Sequence, residues 1–182
     1  VEEVTATSCM QDMSCERPVV DKSGIASVQA SSTLKGNRKS PKRYAAIRVL
    51  DDNEKTAWCE GKKGPGEGER LVIKLKKPVT IDGVLVSPMY AKSRAVAKKN
   101  NRITTYTLDF GVRTIRVTSA PYTVNTCGPP PMACPEVNAP QQVRFEPLET
   151  SKVTLTIEAV ERGTRYDDTC ISTLHLLEPD TR

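Results

Sequence analysis

Two polar segments, far apart in the chain, carry residue types that suit a sugar or cation site. The first, 50–61, reads Leu-Asp-Asp-Asn-Glu-Lys-Thr-Ala-Trp-Cys-Glu-Gly, and the second, 165–172, reads Arg-Tyr-Asp-Asp-Thr-Cys-Ile-Ser. Each has one cysteine and at least two carboxylates, and the first holds the only tryptophan, Trp58. If Cys59 and Cys170 form a disulfide, we expect both segments to lie at one end of the same domain.

The six cysteines are an even set without a Cys-x-x-Cys pair, which favours disulfide bonds. Only one histidine, His175, is available to support zinc binding by thiolates. Spacing favours Cys9–Cys15 and Cys127–Cys134 as small rings and leaves Cys59–Cys170 as the long-range bond. Disulfides imply an oxidising compartment, so we expect a secreted, periplasmic or cell-surface protein. Free thiols in a cytosolic protein are the alternative.

Apolar and polar residues alternate through much of the chain after residue 69, for example at 71–75, 105–110 and 153–159. Short strands of this kind, rich in Val, Ile and Thr and bounded by Gly, Pro or Asp, are typical of an antiparallel sandwich or barrel. We therefore predict an all-β fold of about eight strands. The only helical candidate of note, 44–50, leads into the Asp51 loop.

Two segments depart from this rhythm. Residues 1–22 are predicted to form a polar extension that holds the Cys9–Cys15 ring and has no strand of useful length. Residues 120–140 are rich in proline and are predicted to form a stiff loop inserted between two strands, because proline fixes φ and removes a backbone donor. The β-sandwich itself is then expected to occupy residues 23–182.

Composition narrows the class of protein. The chain has 182 residues, enough for one domain, and no apolar run approaches the roughly 18 residues of a membrane span. It starts at Val1 without a basic and apolar leader, so we interpret it as a mature or trimmed export product. The formal net charge is +5, with basic clusters at 35–43 and 92–102. No nucleic-acid motif accompanies them, so solvated loops that favour anionic glycans or lipid headgroups are the preferred interpretation. We expect a monomer.

Short motifs occur in a fixed order along the chain. Residues 30–34 read Ala-Ser-Ser-Thr-Leu, and 50–58 match Leu-Asp-Gly-Asp-x-x-Thr-Ala-Trp with changes at Asp52 and Asn53. This order resembles the galactose-binding-like β-sandwich, the discoidin or coagulation-factor C-type fold of many bacterial carbohydrate-binding modules. The resemblance implies an antiparallel jelly-roll β-sandwich with a short helix before the Asp51 loop.

Four further motifs resemble a narrower subgroup, the NADase-type glycan-binding domains. They are Trp-Cys-Glu-Gly at 58–61, Tyr-Ala-Lys-Ser at 90–93, Lys-Asn-Asn-Arg at 99–102 and Tyr-Asp-Asp-Thr-Cys-Ile-Ser at 166–172. The resemblance covers about residues 24–178 and says nothing about the first 22 residues or the Pro-rich loop. It implies a glycan-binding module that uses loops at one end of the sandwich.

A sugar site needs an aromatic surface for C–H faces and rigid polar groups for hydroxyls. Three aromatic residues in the motifs can form that surface: Trp58, Tyr90 and Tyr166. The motifs also supply six hydrogen-bonding candidates, which are Glu60, Lys92, Asn101, Arg102, Asp167 and Asp168. We predict that these residues cluster at the end defined by the Cys59–Cys170 disulfide.

Structural alternatives accompany these assignments. Trp58 can instead be a core residue, as a lone tryptophan in a small sandwich usually is. Arg102 can instead pair with Asp167 or Asp168 only to hold the loops together. The segment 166–169 can also be a structural Asx-type turn.

A calcium ion is a further prediction that comes from the resemblance. In many sandwiches of this fold the Asp-Gly-Asp-x-x-Thr loop binds calcium, together with a Glu at the start of the last strand. Calcium prefers six to eight hard oxygen ligands. Here Asp51, Asn53 and Thr56 remain candidate ligands, whereas the family Glu is replaced by Thr173. A structural calcium at Asp51, Asn53 and Thr56 is therefore a weakened expectation, and no other cofactor is expected.

Catalysis finds little support in the chain. His175 lies within an apolar strand pattern, and neither a nucleophile elbow, a His-Glu-x-x-His motif nor a phosphate loop is present. We therefore expect a non-catalytic module that binds glycans. The alternative is a protein-interaction or adhesion module that contacts a cell-surface protein through the disulfide-closed loop 120–140.

Overall fold

The computed structural model describes residues 1–9, 15–121 and 140–180. In these ranges the strands are β1 (Glu2–Thr5), β2 (Thr7–Ser8), β3 (Ile25–Ala30), β4 (Trp58–Cys59), β5 (Arg70–Ser87), β6 (Arg102–Asp109), β7 (Thr114–Thr118), β8 (Gln141–Glu161), β9 (Cys170–Ile171) and β10 (Thr173–Leu177). The helical segments are two 3₁₀ helices, Lys22–Gly24 and Ala46–Leu50, and one α-helix, α1 (Arg94–Lys99).

Two long strands connect the layers of the sandwich. The main sheet has the order β1–β7–β6–β8–β5–β10, with β2 added to β8 and β3 added to β5, while β4 and β9 form a separate small sheet. The pairing of β5 with β8 shifts register between Lys74 and Val79 and again between Ile81 and Gly83. Before these shifts β5 pairs with β3, and after them it pairs with β10. Such irregularities bend strands, so β5 and β8 contribute to both layers.

Alternate residues of the strands fill the core, as the period-2 pattern predicts. Buried examples are Leu71 and Ile73 on β5, Tyr106 and Leu108 on β6, and Val153, Leu155 and Ile157 on β8. Trp58 of β4 and Ile171 of β9 belong to the same core cluster. Burial of one such side chain contributes about 1.5–3 kcal/mol. The small sheet is therefore attached to the body of the sandwich by its own core residues.

The predicted fold class, an all-β sandwich with a short helix before Asp51, is confirmed. That helix is the 3₁₀ helix Ala46–Leu50 rather than the predicted span 44–50. The helix α1 was not predicted. Ser93 begins it, because the Ser93 hydroxyl accepts a hydrogen bond from Val96 N at 3.2 Å, as a helix N-cap does.

The prediction that residues 1–22 lack a strand is wrong. Glu2–Thr5 pairs with Thr114–Thr118 in parallel, an exception in a sheet whose other strand pairs are antiparallel among the described residues. Val4 packs against the core, and Glu2 forms an ion pair with Arg113. Alternation in so short a strand could not be distinguished from a polar tail in the sequence. The domain boundary at residue 22 stays a prediction.

Two of the three predicted disulfides are confirmed. Cys9–Cys15 has a Cα–Cα distance of 5.6 Å, and Cys59–Cys170 has a Cα–Cα distance of 4.1 Å. Cys127–Cys134 lies outside the described residues, as does most of the predicted insertion 120–140. No helix within 1–9, 15–121 or 140–180 has the length and hydropathy needed to cross a membrane.

Candidate functional site

A cleft of about 350 Å³ opens where the Cys59–Cys170 disulfide joins the two loops. We call it the tyrosine cleft, because Tyr44, Tyr90 and Tyr166 line it. Its other lining residues are three cations, one carboxylate, one amide, one half-cystine and two apolar residues: Arg43, Lys92, Lys99, Asp168, Asn100, Cys59, Leu34 and Val96.

The small sheet fixes one wall of the cleft. β4 pairs with β9 in the register Trp58 to Ile171 and Cys59 to Cys170, so the disulfide lies directly across that pair. The pairing extends beyond the disulfide, because Glu60 N donates to Thr169 O at 3.1 Å. Leu34 N donates to Cys59 O at 2.8 Å, which brings the segment after β3 to the same wall.

The helix α1 carries the opposite wall. Its last carbonyl groups accept hydrogen bonds from the loop that precedes β9. Thr164 N donates to Lys98 O at 3.0 Å, and Tyr166 N donates to Lys99 O at 2.8 Å. The ends of helices leave carbonyls unsatisfied, so this loop serves as the cap of α1. Tyr166 and Lys99 are thereby held next to each other.

Asn101 locks the loop that carries Tyr166 and Asp168. Its side chain is wholly buried, and its Nδ2 donates to Asp167 O at 3.1 Å and to Asp167 Oδ1 at 3.2 Å. Its Oδ1 accepts from Gly163 N at 2.9 Å, and its backbone N donates to Asp168 O at 3.0 Å. One buried amide therefore sets the position of the loop.

The three tyrosines differ in access to solvent. Tyr90 is only 6% exposed and donates its hydroxyl to Lys55 O at 3.5 Å. The ring of Tyr44 meets the ring of Tyr90 edge-on, with centroids 6.2 Å apart. Tyr166 is 44% exposed, and the Arg165 guanidinium lies 5.2 Å from its ring centroid. Tyr44 and Tyr166 are thus the rings that a ligand can reach, with Tyr90 behind them.

The charged groups of the cleft are not paired with one another. Among the described residues, every ion pair involves charges other than Arg43, Lys92 and Lys99. Arg43 instead lies over the ring of Tyr44, 5.5 Å from its centroid. Burial raises the pKa of Asp168 above its ordinary value, and the neighbouring Asp167 raises it further.

The predicted cluster is only partly formed. Four of the predicted residues line the tyrosine cleft: Tyr90, Lys92, Tyr166 and Asp168. Three others are buried as supports behind it: Trp58, Glu60 and Asn101. The remaining two, Arg102 and Asp167, have their described contacts elsewhere. Neither of them lines the cleft, and their role as ligand contacts stays a prediction.

Trp58 is a core residue, which was the structural alternative to its predicted role in a sugar-binding surface. Its side chain is wholly buried, and its indole N–H donates to Ser32 O at 2.9 Å. An aromatic surface for a sugar cannot come from a ring with no exposed face, so Trp58 was wrong as part of that surface. Glu60 is also buried. It accepts from Lys62 N at 2.7 Å and Thr169 N at 3.3 Å, and burial raises its pKa.

Arg102 does not hold the loops through Asp167 or Asp168 as the alternative supposed. Its guanidinium donates to Glu161 Oε2 at 2.9 Å and to Ala120 O at 3.3 Å. Asp167 instead pairs with Arg162 and accepts from Asn101. The reason is local: β6 pairs Arg102 directly opposite Glu161 of β8, closer than either aspartate.

Sequence reasoning missed Arg43, Tyr44 and Lys99. Arg43 and Tyr44 are adjacent, so an aromatic residue follows the first basic cluster immediately. That dipeptide was a usable signal for an aromatic and cationic site. Lys99 was read only as part of a motif, because its position at the end of α1 required the helix to be known.

The Asp51 loop is closed by its own hydrogen bonds. Thr56 Oγ1 donates to Asp51 at 2.7 Å and 2.8 Å, and Lys55 N donates to Asn53 Oδ1 at 3.0 Å. The Arg48 guanidinium lies 3.5 Å from Asp51 Oδ2. These residues offer one carboxylate with a cation beside it, which fits calcium poorly. Within the described residues no group of three or more His, Cys, Asp or Glu side chains is placed to hold a metal. The calcium site stays a prediction that a calcium titration of melting temperature can test.

A second cleft, of about 270 Å³, lies beside His175. We call Lys22, Asp52 and His175 the His175 cluster. Lys22 pairs with Asp52, and Asp52 Oδ1 lies 3.3 Å from His175 Nε2. Asp52 occupies the left-handed region with φ of 56°, where the family pattern has glycine. Burial lowers the pKa of His175, while Asp52 acts in the opposite direction.

Comparisons of structure show the fold. The CBM32-1 and CBM32-2 domains of Clostridium perfringens ZmpB, in complex with GalNAc, match with a TM-score of 0.63 and 11% identity over 98% of this chain and 41% of that chain. Arabinofuranosyltransferase AftD from Mycobacteria matches with a TM-score of 0.62 and 18% identity over 87% of this chain and 11% of that chain. A Ruminococcus gnavus GH29 fucosidase in complex with fucose matches with a TM-score of 0.54 and 16% identity over 88% of this chain and 26% of that chain.

This chain therefore spans less than half the length of each of these proteins. No curated protein sequence matches the chain. A family model does: residues 20–177 match the NAD glycohydrolase translocation F5/8 type C domain. Because that match covers most of the sequence, the chain belongs to the family of NAD glycohydrolase translocation F5/8 type C domains, which is discoidin-like.

Proposed function

We propose that this protein is a non-catalytic, secreted or surface-exposed module that binds a glycan in the tyrosine cleft. The observation that carries the proposal is the placement of two accessible tyrosine rings, Tyr44 and Tyr166, beside three cations that take part in no ion pair of the described chain. Sugars stack their C–H faces on aromatic rings and bond their hydroxyls to fixed polar groups. A cleft of about 350 Å³ has room for one or two sugar rings.

The rigidity of the walls supports ligand binding, and the carboxyl content of the cleft argues against glycoside hydrolysis. The disulfide, the β4–β9 pair and the buried Asn101 hold both walls in place before any ligand arrives. Pre-organised sites lose less entropy on binding. Glycoside hydrolysis usually needs two carboxyl groups across the scissile bond, and Asp168 is the one carboxylate that lines this cleft. Glu60 is buried, with backbone N–H groups bonded to it.

The ligands bound by structural neighbours also support glycan binding. The structural neighbours include carbohydrate-binding domains in complex with GalNAc and a fucosidase in complex with fucose. The two disulfides between described cysteines are consistent with an oxidising compartment. The alternative, an adhesion module that uses loop 120–140, depends on residues mostly outside the described ranges and stays a prediction.

A glycan array with three proteins tests the proposal: the wild type, Tyr166→Ala and Val112→Ala. Tyr166 lines the cleft and is 44% exposed, and Val112, which is 78% exposed and lies in the turn after β6, is a control away from the cleft. We expect wild type and Val112→Ala to bind the same glycans, and Tyr166→Ala to bind them at least about fivefold more weakly. Its melting temperature should hardly change, since the lost ring is exposed. Equal binding by Tyr166→Ala, or no binding by wild type, would contradict the proposal.

A further inference from the structure

We infer that the tyrosine cleft selects sugars that carry a negatively charged group, either a carboxylate or a sulfate. This inference rests on the proposed glycan binding and adds the chemical class of the ligand. Three observations support it: the unpaired cations of the cleft, the distribution of charge around it, and the position of its one carboxylate.

The first observation is that the three cations of the cleft form no ion pair with any residue in 1–9, 15–121 or 140–180. Some basic side chains of the described chain are paired, for example Arg17 with Asp82 at 2.7 Å and Arg116 with Glu158 at 2.6 Å, whereas others, such as Lys76 and Lys77 of β5, are in no ion pair. Arg43, Lys92 and Lys99 take part in none of these pairs and converge on one cleft. An anion bound there would gain charge-assisted hydrogen bonds without having to displace a carboxylate of the protein.

Arg43 is also held ready for such an anion. Its guanidinium carbon lies over the Tyr44 ring, 5.5 Å from the centroid, a contact that restricts the side chain. The planar fork of N–H donors matches the two oxygens of a carboxylate or a sulfate. The same Tyr44 ring can then contact the sugar that carries the anionic group.

The second observation concerns charge at longer range. Two segments bordering the cleft, 35–43 and 92–99, hold nine Lys and Arg residues and no Asp or Glu. The whole chain has a formal net charge of +5, so the rest of the molecule is net negative. The positive charge is therefore concentrated at this end. At ordinary salt its field extends roughly 10 Å from the surface. Such a field attracts polyanionic chains and repels cationic ones.

The third observation is that one carboxylate remains in this positive cleft. Asp168 is half-buried, and it lies near Tyr44 and Tyr166, whose rings the ligand would contact. A carboxylate accepts hydrogen bonds but donates none, so its natural partners are the hydroxyl and amide N–H groups of a sugar. It also repels a second anion. We therefore expect the anionic group of the ligand to lie on the side of the three cations, with neutral hydroxyls toward Asp168.

The test uses an array on which each neutral glycan core is also present with a terminal carboxylate-bearing sugar and with a sulfate. Binding of wild type should be at least about tenfold stronger for one or both acidic series than for the matched neutral cores. The series that binds identifies carboxylate or sulfate as the recognised group. A single-stranded oligonucleotide of equal charge serves as a second polyanion, and we expect it to bind more weakly.

Two charge variants connect the selectivity to the cleft. Lys92→Gln/Lys99→Gln removes two cleft lysines, and Lys76→Gln/Lys77→Gln removes two exposed lysines near the bend of β5. We expect the first variant to lose at least about tenfold in affinity for the acidic glycan and little for its neutral core. The second should bind as wild type does.

The outcomes separate this inference from the proposed function. Equal binding of neutral and acidic cores, with loss in Tyr166→Ala, would overturn the inference and leave glycan binding standing. Equal losses in the two lysine variants, or equally tight binding of the oligonucleotide, would show non-specific attraction and overturn the inference. Binding of no glycan at all would overturn both.

Discussion

The tyrosine cleft and the His175 cluster contain similar residue types but differ in whether their charged groups form ion pairs. Each combines lysine, aspartate and apolar side chains at the edge of a cleft. In the His175 cluster, Lys22 pairs with Asp52 and Asp52 approaches His175 at 3.3 Å. In the tyrosine cleft, Lys92 and Lys99 belong to no ion pair of the described chain, and the wall is held by backbone bonds and a disulfide instead.

We expect this difference to separate a structural cluster from the proposed binding site. Charges that are paired within the protein are already satisfied, and a ligand would have to break those pairs to use them. Charges left unpaired in a rigid cleft stay available to a ligand. The sequence does not show which of the two sets is paired, since Asp52 and Asp168 each lie in a polar loop with a neighbouring aspartate.

The largest expected effect concerns the disulfide under the tyrosine cleft. Cys59 and Cys170 are 111 positions apart, so the chain-entropy model gives the bond about 4–5 kcal/mol of stability. We expect Cys59→Ala/Cys170→Ala to lower the free energy of unfolding by several kcal/mol and to weaken glycan binding. Urea denaturation and the glycan array measure these two effects.

The matched control is Cys9→Ala/Cys15→Ala. These cysteines are only six positions apart, so the same model gives their bond roughly 2 kcal/mol. This variant should keep its glycan binding, because neither residue lines the cleft. If it lost binding as severely as the first variant did, the first loss would reflect general destabilisation, and the comparison of the two regions would fail.

A smaller effect is expected from the residue that fixes the Tyr166 loop. Asn101→Ala leaves the N–H of Gly163 and the backbone O of Asp167 without their partner at a partly buried position. The cost should be about 1–3 kcal/mol, which thermal denaturation measures as a lower melting temperature. Binding should weaken as well, since the loop carries Tyr166.

Asp52→Ala is the counterpart in the His175 cluster. Asp52 is 61% exposed, so loss of its pair with Lys22 should cost less than about 1 kcal/mol. Glycan binding should not change. A loss of binding in Asp52→Ala without a change in melting temperature would show that the His175 cluster is itself a site, and it would reverse the comparison.

Much of the fold could be predicted from the sequence, because alternation reports directly which face of a strand is buried. Residues 70–75 of β5 and 153–157 of β8 show this. The pairing of Cys59 with Cys170 could also be predicted, because each cysteine lies within a motif, and the order of these motifs along the chain resembles one family. Strand β1 could not, since four residues give too short a pattern.

The site was predicted less well for a different reason. Residue type indicates that a side chain can bind a sugar, but burial decides whether it does, and burial comes from tertiary packing. Trp58 and Tyr166 carry equally suitable rings, yet one is wholly buried and the other is 44% exposed. Likewise Arg102 is satisfied by Glu161 across the sheet, whereas Arg43 remains unpaired in the cleft. Only the strand register and the course of the loops distinguish these cases.

The smallest expected effect is the pH response of the His175 cluster. Burial lowers the pKa of His175 in the folded chain below its ordinary value of 6.5, and Lys22 lowers it further, while Asp52 and Asp51 oppose this. Above pH 6.5 the histidine is neutral in both the folded and the unfolded chain, so it costs nothing there. As the pH falls below 6.5, the unfolded chain takes up the proton first, and the folded chain loses stability until its own lower pKa is reached.

We therefore expect wild type to lose stability relative to His175→Gln between pH 7.5 and pH 6, by less than about 1 kcal/mol. Urea denaturation of both proteins across this range measures the difference, in which the titration of all other groups cancels. The chain has one histidine, so no other side chain with an ordinary pKa near 6.5 contributes. A constant difference between the two proteins would mean that Asp52 offsets burial completely. Glycan binding should stay the same in both, because the tyrosine cleft contains no histidine.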